Sequence, residues 1–512
     1  MGVSTAFVIL PVSMPSIRKT KTASGATAVQ VVRYRNRKVV VLKHIGSTRM
    51  KEEIEALVQS ADAWIRQNVG QSSFFAEQSS RVLPLAHCTF EGVRHEVAYR
   101  TLTTIAARCG FDAMNDPLTI DLAIIRVFEP CSKRRSRILL ERFFGIRYAE
   151  RTLYRALRTI ERHKAEAECL AVACARREFS FDCSLILYDV TTLYFESFRE
   201  DEGEGALRKT GFSKDQKPQQ PQVVVGLLVT SQGFPLGYAL FKGNTFEGHT
   251  MLPVIEEFCA THHVQTCTVV ADAAMLSFEN IEELRKKNLS YIVGARTANL
   301  SPKLIEQVSK ALNQRDGATI RLPTKHGELL CSFSQKRFRK DKNDMEKQVT
   351  RAQKLVSSRE PGRRAKFVST KGTSYVLNAS LIAKAEKLLG IKGYVTNIPQ
   401  AIMSDAEIIA HYRSLWHVEQ AFRMAKSDLD VRPIFHHTEE AIRAHLLICF
   451  LALAMSQYME IKSGLSLRKI VDLLRNAGEA RVINTSSGEE FIIPAAIPEE
   501  TKNLLKQLGV SY

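Results

Sequence analysis

A chain of 512 residues is too long for one core, and at roughly 150 residues per domain it holds about three units. Its hydrophobic content of 45% is enough to bury real cores, while 72 Lys and Arg against 54 Asp and Glu give a formal charge of +18. That balance calls for a polyanionic partner, either nucleic acid or an anionic membrane surface. The most apolar run, HLLICFLALAM over His445–Met455, is too short to span a bilayer. The N-terminal AFVIL patch has no basic region before it and matches no signal peptide, and Ala6 breaks the myristoylation pattern. The ten cysteines include no CxxC pair and no neighbouring His at zinc-like spacing, so they read as reduced structural thiols. These features predict a cytoplasmic protein with no membrane partner.

Residues 1–70 read as strand, turn and strand (AVQVVRYRNRKVVVLKHIG), then a helix at about 49–68. That helix puts Ile54, Leu57, Val58, Ala61, Trp64 and Ile65 on one stripe. Residues 71–180 form a helical, DNA-binding candidate region, with a helical pattern from about 95 to 178. Within it, SKRRSRILLERFFGIRYAERTLYRALRTIERHK reads as a helix, a break at Gly145, and a second helix carrying Arg151, Arg155, Arg158 and Arg162. Two readings fit: a helix-turn-helix whose second helix enters a DNA groove, or a solvated basic face.

At about residue 184 the period changes from helix to strand. SLILYDVTTLYF, PQVVVGLLVT and PLGYALFKG suggest an antiparallel meander. A helix (TMLPVIEEFCATHH), a strand (TCTVVADAA), a helix opening at Ser277 and a strand (SYIVGA) follow. The order βββαβαβ is the ribonuclease-H-like one without its final helix, so residues 181–298 read as the first part of such a core. Residues 299–402 mix short strand candidates with the basic run QKRFRKDKNDMEKQVTRAQKLV and read as a β-rich insertion domain. The final helix then arrives in SDAEIIAHYRSLWHVEQAFRMAKSDL, opened by Ser404 and Glu407 in capping-box spacing, making 403–462 the second part of the core. Residues 463–512 form a small tail of helix, hairpin about Gly488, and helix. The expected fold is α/β: a mixed five-stranded sheet flanked by helices, interrupted by the insertion and preceded by a mainly helical region.

Asp189 ends the apolar run LILY and Asp272 ends TVVA. A single strand-end Asp commonly caps a turn. Two of them, on the first and fourth strands of this order, would converge, because those strands are neighbours in that fold. Converging carboxylates repel, and one takes up a proton unless a divalent cation neutralises them. On the last helix Tyr412, Glu419 and Lys426 recur every seven residues and form nearly one line, with about 20° of drift per step. Arg423 lies one turn after Glu419, beside that line; an ordinary surface helix with a Glu–Arg pair would look the same. Together the three carboxylates suggest two-metal phosphodiester chemistry with Mg2+ or Mn2+, two ions per site. Tyr412, Arg423 and Lys426 would hold phosphates beside it. The pairs His262–His263 and His436–His437 diverge and read as surface or phosphate-facing groups. GFSKD and GNTFEGHT read as loops at the site's rim, with Gly243, Asn244 and Glu247 as weaker candidates, and Trp416 reads as core packing.

The chain resembles the insertion-sequence DDE transposases of the IS-four superfamily from about residue 45 to the C-terminus. YDVTTLYFES, GFSKDQKPQQPQVVVGLL, FKGNTFEGHTMLPVI, VVADAAMLS and YRSLWHVEQAFRMAKSDLDVRPIFHHTEEAIRAHLL carry the resemblance. The family's signature on the last helix, Tyr–Arg–Glu–Lys, reads here Tyr412, Leu415, Glu419, Lys426, so Leu415 removes one phosphate contact that Arg413 or Arg423 could replace. The resemblance implies that Asp189, Asp272 and Glu419 are catalytic metal ligands. It further implies that the β-rich insertion handles the cleaved DNA end. The expected function is a bacterial, nucleoid-associated transposase that binds terminal inverted repeats and joins the cut ends to target DNA as a homodimer in a synaptic complex. The alternatives are a nuclease that cuts without joining and an inactive, transposase-derived DNA-binding protein.

Overall fold

In a computed structural model, the described residues are 15–35, 38–69, 88–203, 205–275, 278–325, 327–358, 365–371, 374–485, 488–494 and 496–511. The AFVIL run and the helix start at Ser277 lie outside them. The chain divides into two compact units, residues 1–96 with 477–497 and residues 97–476 with 498–512.

In the first unit β1 (Ser16–Lys21), β2 (Thr27–Arg35) and β3 (Lys38–Thr48) form an antiparallel sheet in chain order. Alternation along β2 turns Val29 and Val31 to one side, where Ala61, Ile54, Leu57, Val58, Trp64 and Ile65 of the helix Lys51–Val69 pack on them. Gly46 permits this approach, because a Cβ there would stand 2.7 Å from Leu57 Cδ2. A second sheet has the order β16-β15-β4, from β4 (Cys88–Arg94), β15 (Glu479–Asn484) and β16 (Glu490–Ile493). The hairpin at Gly488 therefore pairs with a strand at the far end of the chain. This corrects two expectations: residues 88–94 are strand rather than helix, and the tail hairpin belongs with them.

The second unit opens with the helices Glu96–Arg108 and Pro117–Phe128, the latter capped by Asp116 with Pro at its first position. The basic segment does not make two long helices. Helix Lys133–Leu139 passes into a wide turn over Leu140–Phe144, stopped by Gly145 at φ 78°; helix Glu150–Ala156 then ends at Leu157. Leu153, Leu157 and Ile160 turn inward, because the chain must bury them, and this leaves Arg151, Arg155, Arg158 and Arg162 exposed. Only Arg151 and Arg155 sit on the helix itself.

The unit's large sheet draws on β5 (Leu185–Tyr194), β6 (Gln222–Val229), β7 (Pro235–Lys242), β8 (Thr268–Ala271) and β9 (Ser290–Ala295). It also takes in β10 (Thr319–Thr324), β11 (Gly327–Phe333) and β14 (Ile391–Thr396), while β12 (Val368–Lys371) and β13 (Ser374–Leu377) pair separately. The order is β10-β11-β14-β9-β8-β5-β6-β7, with β5–β8 and β8–β9 parallel and the remaining pairs antiparallel. The sheet thus has eight strands rather than five. The segment read as a β-rich insertion adds three strands to its edge and carries the helices Pro302–Leu312, Gln335–Ser358 and Ala379–Lys387.

All eight residues of β6, QVVVGLLV, are buried, as expected of a strand covered on both faces. Thr191, Leu193, Val225 and Leu227 meet Phe422 of the helix Trp416–Ser427 and Leu446, Phe450 and Leu453 of the helix Glu439–Ser463. Leu228 and Leu236 face Val254 and Phe258 of the helix Met251–His262 on the other side. Helix Glu439–Ser463 is the one helix among the described residues long and apolar enough to cross a membrane, but 89% of its most apolar stretch is buried inside the unit. It is a core helix here.

Candidate active site

Strand β5 does not stop at Asp189 but runs on to Tyr194, which sets the carboxylate inside the strand opposite Leu227 of β6. On its other side β5 pairs in parallel with β8, Leu185 with Thr268 and Leu187 with Val270. Two residues further along that register, Asp189 comes level with Asp272, immediately past the end of β8. Period-2 alternation gives both the same face, and it is the face covered by the helix Trp416–Ser427.

The Asp189 side chain, 17% exposed, accepts the Val190 N–H at 2.8 Å and lies 4.0 Å from Lys214 Nζ. Burial pushes its carboxyl up to about 6; the Lys214 charge and the Val190 N–H hold it back, and the charges of Asp272 and Glu247 push it further. Lys214 is itself tied down, donating to the Val190 carbonyl at 2.7 Å and pairing with Glu247 Oε1 at 3.1 Å. The GFSKD and GNTFEGHT segments therefore meet at Asp189. Lys214 carried no individual signal in the sequence beyond its place in GFSKD.

The stretch expected as one helix over 404–428 is two, Asp405–Arg413 and Trp416–Ser427, joined by a tightened turn in which His417 N–H bonds to Ser414 and Val418 N–H to Leu415. Ser404 and Glu407 make the capping box at its start. Tyr412 reaches over β9 and donates its hydroxyl to Asp272 Oδ1 at 3.0 Å. Gly294 makes that path possible, because a Cβ there would lie 2.4 Å from the Tyr412 hydroxyl. Burial, then the Asp272 charge, raise the pKa of that hydroxyl, so it remains a proton donor. Glu419 falls in the first turn of its helix, where the helix dipole favours a carboxylate.

Asp189, Asp272, Tyr412 and Glu419 all line one open cleft of about 410 Å³. Among the described residues, no group of three His, Cys, Asp or Glu side chains is gathered closely enough to hold a metal ion. Trp416 also lines this cleft and is 52% exposed, which corrects the expectation that it packs in the core. Lys426 is not in the cleft: its ammonium donates to both carboxylate oxygens of Asp215, at 3.1 and 3.2 Å, and Arg432 closes on the same Asp at 3.4 Å. Arg423 is exposed on the same helix, and neither it nor Arg151, Arg155 and Arg158 lines the cleft. In the pair His436–His437 the rings part, His436 packing on His445 and His437 taking a hydrogen bond from Arg208 at 3.0 Å. All ten cysteines are free.

A model of the transposase DDE domain matches residues 182–455. No curated protein matches the sequence. Among solved structures the chain is similar to the piggyBac transposase seen by cryo-EM in a synaptic complex with hairpin DNA, at 10% identity over 73% of this chain and 70% of that one, with a TM-score of 0.36. The family match begins just before β5, ends in the core helix Glu439–Ser463 and spans more than half of the 512 residues, so this protein belongs to the DDE transposase family.

Proposed function

We propose that this DDE transposase is a bacterial cut-and-paste enzyme of the IS-four superfamily, built on a ribonuclease-H-like core and acting on nucleoid DNA in the cytoplasm. It binds the terminal inverted repeats of its element, cuts them by hydrolysis and joins the 3′-hydroxyls to target DNA, as a homodimer that holds two ends together. The observation that carries this reading is the β5–β8 register, which brings Asp189 level with Asp272 on the face toward Glu419. The arrangement β7-β6-β5-β8-β9, with an antiparallel meander and then two parallel strands, supports the choice of core.

The residue types suit a hard divalent cation, because three carboxylates line one cleft, although their side chains are not drawn together in this structure. Asp189 and Asp272 stand level, and the Asp272 charge discourages ionisation of Asp189, a cost that a cation between them would remove. Asp189, Asp272 and Glu419 would hold Mg2+ or Mn2+, two ions per site. When bound, such ions activate water or a 3′-hydroxyl and stabilise the leaving oxygen. Tyr412 orients Asp272 through its hydroxyl hydrogen bond, and Lys214 keeps a cation beside Asp189 while engaging Glu247.

The test uses as substrate the DNA flanking the reading frame, where this reading expects inverted repeats. Pre-cleaved ends incubated with the protein, Mg2+ and plasmid should give joined product, and Asp272→Asn should give none. Joining that survives Asp272→Asn overturns the metal-site reading, while cutting without any joining identifies a nuclease.

A further inference from the structure

The two cations of the family signature on the last helix are missing from the cleft, as is Arg423. Leu415 stands at the signature arginine and is 6% exposed, and Lys426 is turned away into its pair with Asp215. The cleft is nevertheless strongly cationic on another wall. Arg337 comes from the first turn of the helix Gln335–Ser358, Lys392 from β14, and Arg413 from the end of the helix Asp405–Arg413. Ser332 and Ser334, at the end of β11, add hydroxyls to the same lining.

Local packing sets these cations close to the carboxylates. The Lys392 ammonium lies 4.9 Å from the centre of the Tyr412 ring, and the hydroxyl of that ring is bonded to Asp272, so about one ring separates the ammonium from the Asp272 carboxylate. Gly390, at φ 78°, lets the turn into β14 pack against the start of the basic helix. A Cβ there would stand 2.6 Å from the Phe333 ring and 2.8 Å from Phe338 Cβ, which fixes Lys392 relative to Arg337. Arg337 also keeps a contact of 3.3 Å to Asp341 one turn along its own helix, which orients its guanidinium. Three cations and three carboxylates line the cleft, so the cations from the insertion and Arg413 offer a polyanion a positive surface beside the carboxylates. A row of backbone phosphates has the required charge and repeat, and the facing carboxylates require that the phosphates be held from the cationic side.

Resting on the transposase reading above, we infer that the phosphate clamp of this enzyme has moved off the catalytic helix. Arg337 and Lys392 of the insertion, with Arg413, hold the backbone of the DNA strand whose scissile bond lies at Asp189, Asp272 and Glu419. The insertion is then a structural half of the active site, which accounts for its strands continuing the core sheet.

The experiment measures the affinity of the full-length protein for a short blunt DNA duplex against salt concentration, for wild type, Arg337→Gln, Lys392→Gln, the double variant, and Lys392→Arg. Each lost cation should make the slope of log affinity against log salt shallower by about 0.9, which corresponds to about eightfold weaker binding near 0.1 M salt. Lys392→Arg should restore the wild-type slope, which a merely structural role for the side chain would not require. Slopes for both single variants equal to wild type overturn the inference. Wild-type strand joining is assayed in parallel. Joining present with unchanged slopes sinks the clamp alone; joining absent with reduced slopes sinks the transposase reading and leaves the clamp standing; joining absent with unchanged slopes sinks both.

Discussion

The two ends of the segment 404–428 carry residues at the same seven-residue spacing, yet they do different things. At one end Tyr412 and Glu419 open onto the cleft, the first bonded to Asp272 and the second in the dipole-favoured first turn of its helix. At the other end Lys426 turns inward, its side chain 11% exposed against an Asp215 that is 10% exposed. Two features separate them. The tightened turn at Ser414–Leu415 restarts the helix, and the loop bearing Asp215 closes over its far end before any ligand can reach Lys426. Residues on one helical line share a direction but not an environment, and the environment decides which of them performs chemistry and which supports the fold.

Substituting one residue at each end separates the two environments. Glu419→Gln should lower cleavage and joining by about a thousandfold, the size expected when a group that stabilises charge in the transition state is lost. Because Glu419 is exposed, its melting temperature should stay close to wild type. Asp215→Asn should do the reverse in kind. It leaves Lys426 and Arg432 facing a neutral group in a nearly closed site and should cost about 3 kcal/mol of stability, read from the denaturant midpoint. A Glu419 variant that unfolds the protein, or an Asp215 variant as stable as wild type, would erase the distinction.

An effect of opposite sign is expected at Asp189. Its carboxyl is held up to about 6 against an ordinary 3.8, so the native state binds that proton more tightly than the unfolded chain does. The resulting stabilisation is complete below about pH 4 and is lost as pH rises through about 6. Above that the ionised, buried carboxylate is a net cost. Asp189→Asn should therefore raise stability by up to about 3 kcal/mol at pH 7.5, with the gain vanishing near pH 4, while abolishing activity. Paired thermal melts at the two pH values check this, and a gain that persists at pH 4 would assign the effect to packing instead. The smallest effect belongs to Trp416. Being half exposed in the cleft, it should cost less than about 0.5 kcal/mol of stability when replaced by Ala, whereas a core tryptophan costs about 3–5 kcal/mol.

Much of the sheet was legible in the sequence because its strands are covered on both faces. LILY, QVVVGLLV and TVVA are continuous apolar runs, and their order already implied that Asp189 and Asp272 would be neighbours. What stayed hidden depended on partners distant in the chain. The strands β10, β11 and β14 are short and mixed in polarity, so nothing local indicated that they would extend the core sheet rather than form one of their own. The pairing of β4 with β15 joins Cys88–Arg94 to Glu479–Asn484, distant in the chain, and has no local signature. Lys426 read as a phosphate contact because motif spacing reports helix direction and cannot report Asp215. Trp416 read as core because a large aromatic is usually buried, and only the fold reveals the open cleft in front of it. In the basic segment the buried stripe Leu153, Leu157 and Ile160 has helical spacing, yet the helix ends at Leu157, so only Arg151 and Arg155 lie on it.

Whether the level aspartates are metal ligands is decided by a cysteine exchange at each of them. A thiolate binds Mg2+ poorly but accepts the softer Mn2+. Strand joining by Asp272→Cys should be lost in Mg2+ and should return, at least in part, when Mn2+ replaces it, with Asp189→Cys behaving likewise. Undiminished joining by either variant in Mg2+ would contradict the assignment of Asp189 and Asp272 as the centre of the site.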